Sequence, residues 1–345
     1  AGGTDAGAAY VFTRSGTTWS QQAKLTASDA EAGDYFGISS NIDGDTVVVG
    51  AYSEDSGGSW AGAAYIYTRS GTTWSEQAKL TASDAQAGDY FGVHVAISGN
   101  TVVVGAWGED TGGSQSGAAY VFTRSGTTWS QQAKLTASDA QADDNLGYWV
   151  CIDGDTVVVG AHNEDAGGTD AGAAYVFTRS GTTWTQQQKL ASSDIAAGDY
   201  FGRCSAISGD TVVVGAYGDD HNYSSAGAAY VFTRSGTTWT QQAKLTASDP
   251  QADDYFGFRT AIDGDTVLVG AYSEDTGGSN AGAAYIFTRS GTTWTQDKKI
   301  VASDGGASDN FGYGLGIDED TLVVSAPYED STANNAGAAY VFIAG

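Results

Sequence analysis

Three histidines, two cysteines and a large excess of carboxylates are the groups in this chain that could carry catalysis. Their spacing argues against it. His94, His162 and His221 lie far apart and lack metal-ligand spacing, and no serine sits in a nucleophile elbow. Cys151 and Cys204 fall at even offsets from Gly147 and Gly202, on the same side of their strands, so two free thiols are expected rather than a disulfide. Acid pairs recur by repetition alone. Glycoside cleavage needs only two carboxyls suitably separated across a cleft, so a polysaccharide-active enzyme is the third reading and a non-catalytic protein the first.

The acids that could hold a cation are Asp29, Asp34, Glu54 and Asp55 with their equivalents in later repeats. Calcium takes about six to eight oxygens, so two loops would have to converge. The competing account has Asp29 and Asp34 accepting hydrogen bonds from loop amides while the others keep the surface soluble. No cofactor is required, and Ca2+ is the one candidate.

Recognition chemistry is better represented. Of 15 basic residues, six Arg and six Lys recur at a fixed spacing, leaving Arg203, Arg259 and Lys298; of nine Trp, only Trp60, Trp107 and Trp149 do not recur. Lys298 aside, these exceptions gather around positions that follow a Phe-Gly or a Gly-Ala pair. The same positions carry Tyr52, His94, Tyr148, His162, Tyr217, Phe258, Tyr272 and Tyr313. Trp, Tyr and Arg dominate binding hot spots, whereas drift at exposed sites more often yields Ser, Thr, Asn and Lys. Some of these side chains could instead plug a central channel.

The elements that must position these residues follow from the repeat. GAAY occurs at Gly7, Gly62, Gly117, Gly172, Gly227, Gly282 and Gly337, always 55 residues apart, giving six units and a 15-residue surplus in one domain over residues 1–345. Each unit holds four β-branched and aromatic segments with no helical period. In the first they are a strand after Phe36-Gly37, then 45–51, 62–69 and 72–80. Asp43-Gly44-Asp45 and Arg14-Ser15-Gly16-Thr17 are tight turns. The connections over 26–35 and 52–61 are long, so tight turns and long loops fall on opposite ends of each unit. Four antiparallel strands repeated radially make a six-bladed β-propeller; a linear solenoid is the alternative.

Phe-Gly, a strand, Gly-Ala-x at Gly50-Ala51-Tyr52 and then GAAYVF resemble the FG-GAP repeat of integrin α-subunit propellers and their bacterial relatives. The resemblance covers the whole chain and implies an extracellular binding or adhesion module. Three departures stand out. That propeller has seven blades. The third residue of Gly-Ala-Pro is Tyr52, Trp107, His162, Tyr217 or Tyr272, with Pro327 alone retained, and Leu146 replaces Phe in the third unit. The calcium loop the resemblance implies has shrunk to Asp43-Gly44-Asp45 and its counterparts, so its calcium function is not carried over.

A formal charge of −26 excludes nucleic acid and anionic membrane as partners. The longest aliphatic runs are far short of the roughly 18 residues a spanning helix needs. A chain without Met, starting at Ala1, suits a secreted or cell-surface protein shorn of its leader. The six repeated Trp, from Trp19 to Trp294, are expected as core between blades. The expected partner is a glycan or a protein bound at the long-loop mouth. Counting strands gives a second class of function. GAAYVF occurs at both ends, so the strands number twenty-five where six blades need twenty-four. The closing blade is then shared by both termini, and the surplus strand can pair with a neighbouring molecule to build a ring or filament.

Overall fold

The structure, a computed structural model, describes residues 3–330 and 332–343. The chain is all-β, a β-propeller of six blades with a 55-residue repeat, and the described residues form twenty-five strands. The first complete blade shows why these residues form it. Strand β3 (Ser40–Asp43) meets β4 (Thr46–Ala51) across Gly44-Asp45, where Gly44 supplies a φ of 55°. Strand β4 is wholly buried, and its Val47-Val48-Val49 run serves both faces at once. It pairs with β5 (Ala63–Ser70), which pairs with β6 (Thr73–Leu80) through a bulge after Ile66. Strands β7 to β22, from Val95 to Ile300, form four more sheets of this kind.

Two compact units emerge from the contacts: Ala1–Val159 with Phe177–Gln186, and Gly160–Val176 with Gln187–Gly345. Neighbouring blades pack alike in both. In the first unit Val48, Ala64, Ile66 and Leu80 meet Ile97, Val102, Val104, Tyr120 and Phe122. In the second Val213, Ala229, Val231 and Leu245 meet Ile262, Val267, Val269, Tyr285 and Phe287. The Phe-Gly and Gly-Ala pairs exist because backbones touch there. Gly62, at φ 85°, bridges Phe91, and a Cβ on it would lie 2.0 Å from the Phe91 carbonyl oxygen. A Cβ on Gly50 would lie 1.9 Å from the Gly92 oxygen. Phe91 is fully buried and meets Tyr120 and Phe122 edge-on, and Leu146 fills the equivalent place without loss of burial.

The repeated tryptophans are not the fully buried core expected of them. Trp239 is buried, Trp19 is exposed, and the others are half-buried at the tight-turn end. There each indole lies under an arginine, as Trp74 does under Arg69 at 5.4 Å, and from Trp74 onward donates to a glutamine of the preceding repeat, as Trp74 does to Gln22 at 2.7 Å. Arg69 in turn pairs with Asp45.

The terminal segments contribute five of these strands. Strands β1 (Ala9–Ser15) and β2 (Thr18–Leu25) form a two-stranded sheet. Strands β23 (Gly314–Asp318), β24 (Thr321–Ala326) and β25 (Ala338–Ile343) form a three-stranded one. Each copy of AAYVF pairs with a neighbour local in sequence: β1 closes a hairpin on β2 and β25 closes on β24.

Candidate recognition sites

Each unit carries its own aromatic cluster at the long-loop end of its blades. In the first, Tyr52 stacks on Tyr35 at 5.5 Å and approaches Tyr90 at 6.1 Å. Tyr90 stacks face to face on Trp107 at 4.4 Å, with Trp60 at 5.9 Å on its other side. His94 and Trp149 make a separate pair at 3.6 Å, and the His94 Nδ1 accepts from the Val150 amide. Tyr148, next to Trp149, is half-buried.

In the second unit the chain of rings runs from His162 through Tyr200 to Tyr217. Tyr217 meets both Tyr255 and Phe258, and Tyr255 stacks on Tyr272 at 5.4 Å. Phe258 is the hub. Tyr272 and Tyr313 lie 4.5 and 5.2 Å from its ring, while the Arg203 and Arg259 guanidiniums stand 5.0 and 4.4 Å from its centroid. Arg259 also faces Tyr313. Both arginines are half-buried, so their charge is applied from a partly desolvated position. Burial, and secondarily the Arg203 charge, push the His162 imidazole down to about 3, leaving it neutral.

Tyr35, Tyr90, Tyr200 and Tyr255 are the residues the composition of the repeats concealed. Each precedes Phe-Gly and recurs, so it reads as scaffold. Yet all four hold φ between 53° and 56°, a left-handed backbone that bulky residues rarely adopt. That geometry turns the ring toward the residue after Gly-Ala. A signal existed: Asn145 and Asn310 occupy the same position in the other two repeats, and asparagine is the residue that favours this backbone.

The acids proposed for a cation are engaged otherwise. Asp29 accepts from Tyr65 Oη at 2.8 Å and from Lys79 Nζ at 2.6 Å, and Lys79 also pairs with the buried Glu54 at 2.9 Å. Asp34 accepts from the Glu31 amide, and Asp55 from the Trp60 amide, both at 2.7 Å. The knot recurs around Lys134, Lys244 and Lys299. Desolvation works to raise Asp29, but Lys79 and the Tyr65 hydroxyl hold it below the usual carboxylate range. Each cluster thus already contains its cation, an ammonium. Among the described residues no three His, Cys, Asp or Glu are grouped to hold a metal ion.

Cys151 and Cys204 are both free thiols. Cys204 is fully buried against the Gly257 carbonyl at 3.2 Å, and burial pushes its thiol up. Among the described residues no helix is long and apolar enough to cross a membrane.

The profile of the FG-GAP repeat matches residues 19–67, 74–122, 129–177, 184–232, 239–287 and 294–342, most of the chain in six consecutive copies. A search of curated proteins found no match.

Proposed function

Because this chain belongs to the FG-GAP repeat family, whose propeller is in general an interaction module, we propose that it is a non-catalytic recognition protein. It binds a glycan or a protein at the long-loop end of its blades. Repeats of this family are typically extracellular, which supports a secreted or cell-surface setting and a part in adhesion. The reading takes residues 1–345 as one domain that needs no cofactor.

The observation that carries it is the Phe258 hub. Phe258 is itself buried and gathers around it half-buried tyrosines at 4.5 and 5.2 Å and two half-buried guanidiniums within 5.0 Å, which offer a sugar ring and an acidic substituent complementary partners at one place. On a chain of charge −26 it is also where an acidic group meets least repulsion. The tyrosine and tryptophan ladder of the first unit supplies a second, uncharged surface for stacking. A glycan array and a pull-down from surface extract identify the ligand. Arg203→Ala with Arg259→Ala is expected to weaken binding of an acidic ligand by at least about tenfold, and Trp107→Ala to weaken a neutral one. Unchanged binding in all three variants would remove the assignment.

A further inference from the structure

The tight-turn end of the first unit holds an exception to the repeat. Four turn arginines fork onto the carboxylate 24 residues earlier: Arg69 onto Asp45, Arg179 onto Asp155, Arg234 onto Asp210 and Arg289 onto Asp265, each with Nε at 2.6 or 2.7 Å. Arg124 makes the same fork onto Asn100, where Nε and Nη2 donate to the amide oxygen at 2.9 and 2.7 Å. Its Nη1 donates to the Thr46 hydroxyl at 3.0 Å. Among the described residues none of these partners is a carboxylate, so the geometry of the pair is kept and the neutralising charge is gone. The same turn has Ser98 where the first repeat has Asp43, so Ser98-Gly99-Asn100 carries no acid in a chain that has 41.

Arg124 lines a cavity of about 490 Å³ between the first two complete blades, a volume within the range of small-molecule sites. Its walls are two arginines, two aspartates, two threonines, a glutamine, an asparagine and a glycine, with no aliphatic side chain. These groups are held in place. The Trp129 indole lies under Arg124 at 5.3 Å and donates to Gln77 Oε1 at 2.9 Å, which leaves the Gln77 amide hydrogens for another acceptor. Asp45 binds Arg69 through Oδ1, and Asp43 accepts from the Gly99 amide through Oδ2 at 2.6 Å, so each keeps one oxygen outside these bonds. An unneutralised guanidinium beside acceptors and a donor suits a ligand that joins one negative charge to hydroxyl groups. A phosphate dianion would meet Asp43 and Asp45 as like charges.

We propose that this cavity binds a hydroxylated monocarboxylate of the hexuronate class, at a site separate from the rings of the long-loop end. The carboxylate takes the Arg124 N–H groups not used on Asn100 and Thr46. Ring hydroxyls donate to Asp43 and Asp45 and accept from Gln77. The other repeats supply the reason for the assignment: an aspartate at position 100 would cancel the Arg124 charge as Asp45 cancels that of Arg69, and here the ligand's carboxylate stands in for it.

Calorimetric titration of the full chain with methyl glucuronide tests the site. Asn100→Asp is the decisive variant, because it restores the residue the other repeats carry and supplies the missing charge from within. Its circular dichroism should be unchanged and its melting temperature equal or higher, while affinity should fall at least about tenfold, the effect of losing one charge-assisted contact. Arg124→Gln should lose the same factor. Methyl glucoside, which lacks the carboxylate, and inorganic phosphate should each bind at least about tenfold more weakly than the glucuronide. Equal affinity in Asn100→Asp and the unmodified chain would overturn the proposal, as would an unmodified chain that does not bind. Phosphate bound as tightly as the glucuronide would overturn the ligand class. Binding that survives Asn100→Asp but is lost in Arg203→Ala with Arg259→Ala would overturn the site, by placing the ligand at the Phe258 cluster.

Discussion

Glu319 marks where a repeat has drifted away from what its backbone needs. It occupies the turn position held elsewhere by Gly44 and Gly264, and it keeps their conformation at φ 51°. A side chain there is strained although the equivalent positions are spatially open. Glu319→Gly should therefore stabilise the protein by about 1 kcal/mol in chemical denaturation; an unchanged midpoint would show that the turn is not limiting. The bond from the Glu319 amide to Asp263 survives the change.

Titration at the same scale has opposing parts. Burial, over an opposing backbone bond, and then the neighbouring Asp219 and Glu274 charges push Asp199 and Asp254 up to about 6. A carboxyl raised in the folded state stabilises at low pH and loses that contribution as pH rises through 6. His162 is depressed, so its contribution is complete above its ordinary value of 6.5 and declines as pH falls toward 3. Asp29, Asp84, Asp194 and Asp249 are lowered, and their contribution disappears below 3.8. From pH 7 to 5 the two raised aspartates should outweigh the one histidine, and the melting temperature should rise before falling below pH 4. Asp199→Asn with Asp254→Asn should remove the rise, a change on the order of 1 kcal/mol per carboxyl. A melting series at three pH values checks the sign.

At the scale of elements, the hairpins were legible because their turns are short and chemically distinctive, as Gly44-Asp45 shows. The order of strands within a blade followed from two tight turns and two long loops. What composition could not give was the fate of a duplicated strand. AAYVF at 8–12 and at 338–342 is the same sequence, so pairing preference is equal and only chain connectivity decides. It decides for local neighbours. The Trp positions were misread for a related reason: hydrophobicity marks a residue for burial, but an indole N–H with a glutamine in reach and an arginine above it is satisfied half-exposed. The glycines provide the test at this scale. Gly105→Ala places a Cβ 1.9 Å from the Gly147 oxygen and should cost more than about 3 kcal/mol. Gly126→Ala, at φ 64° but in open space, should cost about 1 kcal/mol. Equal losses in the two would show that backbone approach between blades is not what the Gly-Ala pair protects.

For the molecule as a whole, charge is the dominant variable. Forty-one acids against 15 Lys and Arg repel one another, and salt screens them. Melting should rise with ionic strength, and calcium and magnesium should act equally at matched ionic strength, because the carboxylates of each acidic knot already share a lysine ammonium. A specific response to calcium would mean that carboxylates outside those knots converge. The candidate sites were half legible at this scale. Residues that break the repeat, such as Arg203, Arg259 and Phe258, stood out against it, and the structure gathers them. Residues that obey the repeat, such as Tyr90 and Tyr255, were invisible by the same criterion, although their rings complete the clusters.

The sameness of the blade interfaces has a genetic consequence. A coding sequence that repeats every 55 codons invites unequal recombination, which removes or adds whole units in frame. Because each blade offers its predecessor and its successor nearly the same surfaces, the new neighbours produced by such an event fit each other as the old ones did. Loss of residues 63–117, for example, would bring Ala118 directly after Gly62 and leave GAAY intact at the joint. The lineage of this chain can therefore change its number of blades in single steps without passing through a misfolded intermediate, while the divergent rings at the long-loop end travel with the units that carry them.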